Sequence, residues 1–93
     1  EKSMIFEISQ KHASILFQAI RDAEDFAKEL NIDVYKCHVE FHENILCKEL
    51  PCYLIYFYEE IVNKSWMDVS TVNDVCVYIS MESCQTILLT QSR

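Results

Sequence analysis

Cys37, His42, Cys47 and Cys52 follow one another at five-residue steps, with His38 beside the first of them. Thiolate and imidazole make a suitable tetrahedral zinc set. The steps do not match the close Cys pairs and the His pair three to five residues apart that zinc modules use. On an extended strand an odd separation also turns Cys37 and His42 to opposite faces. The competing reading is that Cys37 packs inward while His38 and His42 face water beside Glu40. A zinc-stabilised module using Cys37, His42, Cys47 and Cys52, with nucleic acid as its contact, is therefore the secondary reading, and no metal or other cofactor is expected in the preferred one.

The same residues could be drawn as a Cys–His nucleophilic pair, but nothing supplies a third orienting group. Buried thiols are inert unless positive surroundings lower their pKa, and this chain carries fifteen acids against eight bases. Carboxylates at Glu59-Glu60 and at Asp22, Glu24 and Asp25 could serve acid–base work. Neighbouring acids on a solvated helix face or strand end explain them more simply. The chain has no glycine, which removes phosphate-cradling loops, dinucleotide fingerprints and nucleophile elbows, all of which need backbone that only glycine supplies. An enzyme is not expected.

The aromatic residues offer a different chemistry. Tyr53, Tyr56, Phe57 and Tyr58, with Trp66 further on, exceed what a minimal core of this size requires. Tyr and Trp present rigid area with a polar tip, and binding hot spots are enriched in them. These five are the candidate partner-binding residues; filling a helix–sheet interface is their alternative role. The expected function is a non-catalytic protein–protein interaction or self-association module of a larger intracellular protein. Strand addition along the sheet edge, anchored by aromatics from Tyr53 to Tyr58, is its expected mechanism.

Charge and composition limit the partner. A net charge of −7, with bases scattered singly, is a poor match for nucleic acid, whose phosphates require clustered Lys and Arg. An anionic membrane surface is disfavoured for the same reason, and the longest apolar run, Cys52 to Tyr58, is far short of the ~20 residues that span a bilayer. Another protein or a second copy of the chain fits better. Five cysteines, an odd number, speak against a secreted disulfide scaffold and for a reducing compartment, cytoplasm or nucleus.

These side chains must be held by a small fold. At 93 residues and 51% apolar composition, residues 1–93 are expected to form a single compact domain, and a first residue other than Met suggests a piece of a larger protein. Ser3 to Ile8 reads as a short strand, with Met4, Phe6 and Ile8 on one side. Ser9 offers an N-cap. From Gln10 to Leu30, Ala13, Leu16, Phe17, Ile20, Ala23, Ala27 and Leu30 recur at helical steps, flanked by Ile15, Ala19 and Phe26. Asn31 suits a left-handed C′ position. Tyr35, Cys37, Val39 and Phe41 then alternate with polar residues as in a half-buried strand.

Glu43 to Leu50 fits either a helical turn or a loop. Cys52 to Tyr58 is apolar on both parities, which favours a strand buried on both sides or lying at a contact surface. Pro51 with Glu59, Glu60, Ile61 and Val62 supports a helix over 51–66 as the alternative. Trp66 and Met67 are expected to anchor the next connection. Val75, Val77, Ile79 and Met81 alternate again, Glu82 to Cys84 turn, and Gln85 to Thr90 returns. The expected fold is α+β, with one long amphipathic helix packed on a mostly antiparallel sheet of about four or five strands.

Overall fold

A computed structural model describes residues 3–59 and 73–92. Helix α1 spans Gln10–Glu29 and a 3-10 turn spans Val34–Lys36. Four strands follow: β1 (His38–Cys47), β2 (Leu50–Tyr58), β3 (Asp74–Ser80) and β4 (Thr86–Thr90). Their order in the sheet equals their order in the chain, and every neighbouring pair is antiparallel. One long helix against a four-stranded antiparallel sheet is the α+β arrangement expected.

Both ends of α1 are closed by the residues marked in the sequence. Ser9 Oγ accepts from the His12 amide at 3.3 Å, which satisfies one orphan donor of the first turn. At the other end Asn31 adopts φ 62°. The Ile32 amide donates to the Ala27 carbonyl at 2.9 Å and the Asn31 amide to that of Lys28 at 3.1 Å. This is a Schellman cap with asparagine in the glycine position, and Ile32 is buried just beyond it.

The apolar stripe of α1 is turned slightly from the expected one. Ile15, Ala19, Ala23 and Ala27, at successive four-residue steps, form its buried centre; Leu16, Ile20, Phe26 and Leu30 pack at its margins. Phe17 is exposed instead. Three fully buried alanines let the helix lie close to the sheet, where larger side chains rise to meet it. These are Tyr53, Ile55 and Phe57 of β2 and Val75, Val77 and Ile79 of β3, one parity of each strand.

Other local expectations are corrected. Ser3 to Ile8 joins no strand and is exposed throughout. Tyr35 lies in the 3-10 turn, where the Asp33 carboxylate accepts from its amide at 3.0 Å, so β1 begins only at His38. Glu43 to Leu50 is neither helix nor loop: β1 runs on to Cys47 and reverses directly into β2. A bulge separates His42 from Ile45, with Asn44 at φ 64° inside it. Cys52 to Tyr58 is strand, fully buried at Tyr53, Ile55 and Phe57 on one face and half-buried at Leu54, Tyr56 and Tyr58 on the other. Trp66, Met67, Glu60 and the remainder of 60–72 lie outside the described residues.

The β1–β2 reversal uses Lys48 at φ 53° and Glu49 at φ 67°, between the paired residues Cys47 and Leu50. Two positive φ values are the signature of a type I′ turn, which ordinarily takes Asn-Gly. Left-handed backbone costs a side-chain-bearing residue roughly 1–2 kcal/mol. Glu49→Gly is therefore expected to stabilise the fold by about 0.5–1 kcal/mol, part of the relief being offset by greater freedom in the unfolded chain. Urea titration checks this; a loss of stability would mean that Glu49 makes a compensating contact.

Candidate functional site

The second parity of the strands builds the other face of the sheet, half-buried at Leu54, Tyr56 and Tyr58 of β2 and buried at Asp74, Cys76 and Ser80 of β3. On it lie Leu54, Tyr56 and Tyr58 of β2, flanked by His38, Glu40 and His42 of β1 and by Asp74, Cys76 and Tyr78 of β3. His38 is opposite Tyr58, and Tyr56 is two residues behind it on the same strand. The His38 and Tyr58 rings stack with centroids 5.2 Å apart, and those of Tyr58 and Tyr56 with centroids 5.3 Å apart. Three rings thus form one continuous row. Both tyrosines are half-buried, leaving ring surface for a ligand that stacks or for a cation. Glu40, beside the row, accepts from His42 Nε2 at 2.9 Å.

A polar network fixes the inner end of this row. Asp74 is fully buried at the start of β3. Its carboxylate accepts from the Tyr56 hydroxyl at 2.7 Å, from the Ser92 amide at 3.2 Å and from the Ser92 hydroxyl. A buried carboxylate is tolerable only with such partners. Burial, reinforced by the Asp74 hydrogen bond, pushes the Tyr56 phenol up to about 12. Tyr56 therefore acts as a fixed donor that orients its ring.

The nucleophile candidates are moved in the wrong direction for chemistry. Burial raises the Cys37, Cys52 and Cys76 thiols, that of Cys76 to about 11. All five cysteines are free thiols. Raised thiols are protonated at neutral pH and react poorly. Two carboxylates of α1 have structural partners: Asp22 accepts from the Thr86 hydroxyl, and Glu24 accepts from the Tyr35 hydroxyl at 2.9 Å.

The zinc set does not converge. Cys37 precedes β1 and Cys47 ends it, and ten residues of strand span roughly 30 Å. Cys47 and Cys52 do meet across the hairpin, on neighbouring rungs of one face, while His42 turns to Glu40. Among the described residues no group of three or more His, Cys, Asp or Glu is placed to hold a metal.

The candidate partner-binding residues divide by parity. Tyr53 and Phe57 point under α1 and are fully buried; Tyr56 and Tyr58 lie half-buried on the opposite face. Trp66 is outside the described residues. β2 is hydrogen-bonded to β1 on one side and β3 on the other, so it offers no free backbone edge. This corrects the expectation of strand addition along Tyr53 to Tyr58. Two members of the site were not foreseen from sequence. The sequence pattern sets His38 facing water beside Glu40 and singles out nothing at Asp74. The alternation of β1 put His38 on the wet face, but only the register sets it against Tyr58.

No helix among the described residues is long and apolar enough to cross a membrane. No protein-family model, curated protein or solved structure significantly matches this chain.

Proposed function

We propose that this chain is a non-catalytic protein-interaction module whose partner docks on the His38–Tyr58–Tyr56 row. The observation that carries the reading is the stacked row itself, held from behind by the Asp74 network, with Tyr56 and Tyr58 only half-buried. Rigid aromatic anchors lose little entropy on binding, and such residues dominate interface energetics. The contact is made through the face of the sheet, since β2 has no free edge.

A chain of net charge −7 suits a protein partner that brings Lys or Arg, with guanidinium groups placed over the tyrosine rings. The raised thiols and phenols support a binding role over a catalytic one.

Tyr58→Asp tests the site, because Tyr58 is half-buried and distant from the α1-facing core. Partner capture from cell extract with the wild-type and variant domains is expected to lose one protein selectively, by at least ten-fold, with circular dichroism unchanged. Equal recovery by a folded Tyr58→Asp domain would remove the row from the interface. Tyr56→Phe is a gentler companion, since it keeps the stack and deletes only the hydroxyl bound to Asp74.

A further inference from the structure

The tight β1–β2 turn sets Cys47 opposite Leu50 and Cys52 opposite Ile45. The two cysteines therefore occupy adjacent rungs of one sheet face, diagonal to each other across the hairpin. Cys52 is fully buried and Cys47 is 9% exposed, and both are free thiols. Their side chains face each other: after burial, Cys47 is the main influence that raises the Cys52 thiol, and the Cys47 backbone amide bonds to the Cys52 sulfur. An amide so placed favours the thiolate.

Reach decides what this pair can do. A disulfide needs Cα atoms within roughly 7 Å and sulfurs about 2 Å apart, whereas diagonal neighbours stand roughly 7–8 Å apart. A direct bond would strain the hairpin. An ion between the sulfurs, with metal–thiolate bonds of roughly 2.3 Å each, spans the diagonal without moving the strands. No third ligand joins the pair. Ser80, opposite Cys52 on β3, accepts from the Glu82 and Ser83 amides at 3.2 Å each. Cys76 lies four residues further along β3, roughly 13 Å away. Burial, followed by the nearby thiols, pushes the Tyr78 phenol up, so it stays protonated. Zinc, which takes four ligands, is poorly served here.

We propose that Cys47 and Cys52 form a two-coordinate site for copper(I), with one thiolate on either side of the ion. Thiolates select soft cations such as copper(I), and its filled d shell accepts two ligands in line. Two thiols and Cu⁺ give a bis-thiolate complex of charge −1 and release two protons; no electron is transferred. The ion thus replaces protons that burial otherwise holds on sulfur. Entry is at Cys47, beside the exposed Lys48 and Glu49. The site lies at the opposite end of β2 from Tyr58, so it stands or falls apart from the tyrosine row.

Titration of the reduced chain, in the absence of oxygen, against copper(I) held by bicinchoninate tests the site. One equivalent is expected to pass to the protein with circular dichroism unchanged. X-ray absorption is expected to show two sulfur neighbours. Cys47→Ser and Cys52→Ser are each expected to weaken copper binding at least ten-fold. Cys47→Ser decides where Cys52→Ser does not fold, since Cys47 lies at the end of its strand. Cys37→Ser combined with Cys84→Ser, which removes the two thiols that are not buried, is expected to keep the equivalent. Failure to withdraw copper from the chelator would overturn the proposal, as would full binding by a folded Cys47→Ser variant or loss of binding in the Cys37→Ser, Cys84→Ser variant. A Cys47–Cys52 disulfide formed readily with glutathione disulfide, in a chain that takes up no copper, would replace the metal site with a redox pair.

Discussion

Phe57→Ala is expected to destabilise the domain by about 3–5 kcal/mol, the range for removing a buried aromatic side chain from a core. Phe57 is only 1% exposed and belongs to the cluster that joins β2 to the alanine line of α1. Native domains hold roughly 5–15 kcal/mol in all, so this substitution removes much of the margin. Tyr58→Ala, one position further along the strand, is expected to cost only about 1 kcal/mol, since it loses partial burial and stacking alone. Chemical denaturation of the two variants measures the contrast. Equal costs would mean that β2 presents its parities to the helix and to the open face differently from the register described.

Alkaline titration is expected to produce the second-largest loss of stability. Burial raises the Cys76 thiol from its usual 9.0 to about 11, and burial with the Asp74 hydrogen bond raises the Tyr56 phenol from 10.0 to about 12. Both groups are neutral when protonated, and the folded state holds those protons more tightly. Their stabilising contribution is therefore complete below the unfolded values and is lost as pH rises through the folded ones. The window runs from about pH 9 to pH 12. Cys76 contributes roughly 2–3 kcal/mol over its part; Tyr56, partly open to water, contributes less. Urea midpoints measured across this window check the slope. Cys76→Ala is expected to flatten its lower part and Tyr56→Phe its upper part. A flat profile in the wild-type protein would show that neither proton is held by the fold.

The helix was legible because its signals are local and agree with one another. Ser9, the three- and four-residue apolar steps and Asn31 each mark the same element, and propensity, pattern and caps rarely converge by accident. The doubly apolar β2 was also readable, since apolar residues on both parities leave no polar alternation to find. Parity was not readable. Nothing in Cys52 to Tyr58 says whether Tyr53 and Phe57 or Tyr56 and Tyr58 meet the helix; that follows from α1 packing on Val75, Val77 and Ile79 at the facing positions of β3.

The misread segments each lacked a punctuating residue or had a misleading pattern. In a chain without glycine the β1–β2 turn is made by Lys48 and Glu49, two residues that give no turn signal. The bulge at Asn44 broke the alternation of β1 just before it. Ser3 to Ile8 carries a strand-like pattern with no partner strand, because its apolar residues do not meet the intramolecular core. The zinc set failed for a geometric reason: equal steps along a sequence become distance along a strand.

The strict succession of β1, β2, β3 and β4 has a kinetic consequence. Every rung of the sheet joins a strand to its immediate successor in the chain, so β1–β2 and β3–β4 can close as hairpins, and β2–β3 needs closure of only a fifteen-residue connection. Such hairpins form in roughly 1–10 μs. Docking α1 onto β3 and β4, which brings Gln18 within 3.0 Å of Thr86, requires closure of a much larger loop. Folding is thus set up to raise the sheet in local steps and to seat the helix upon it last.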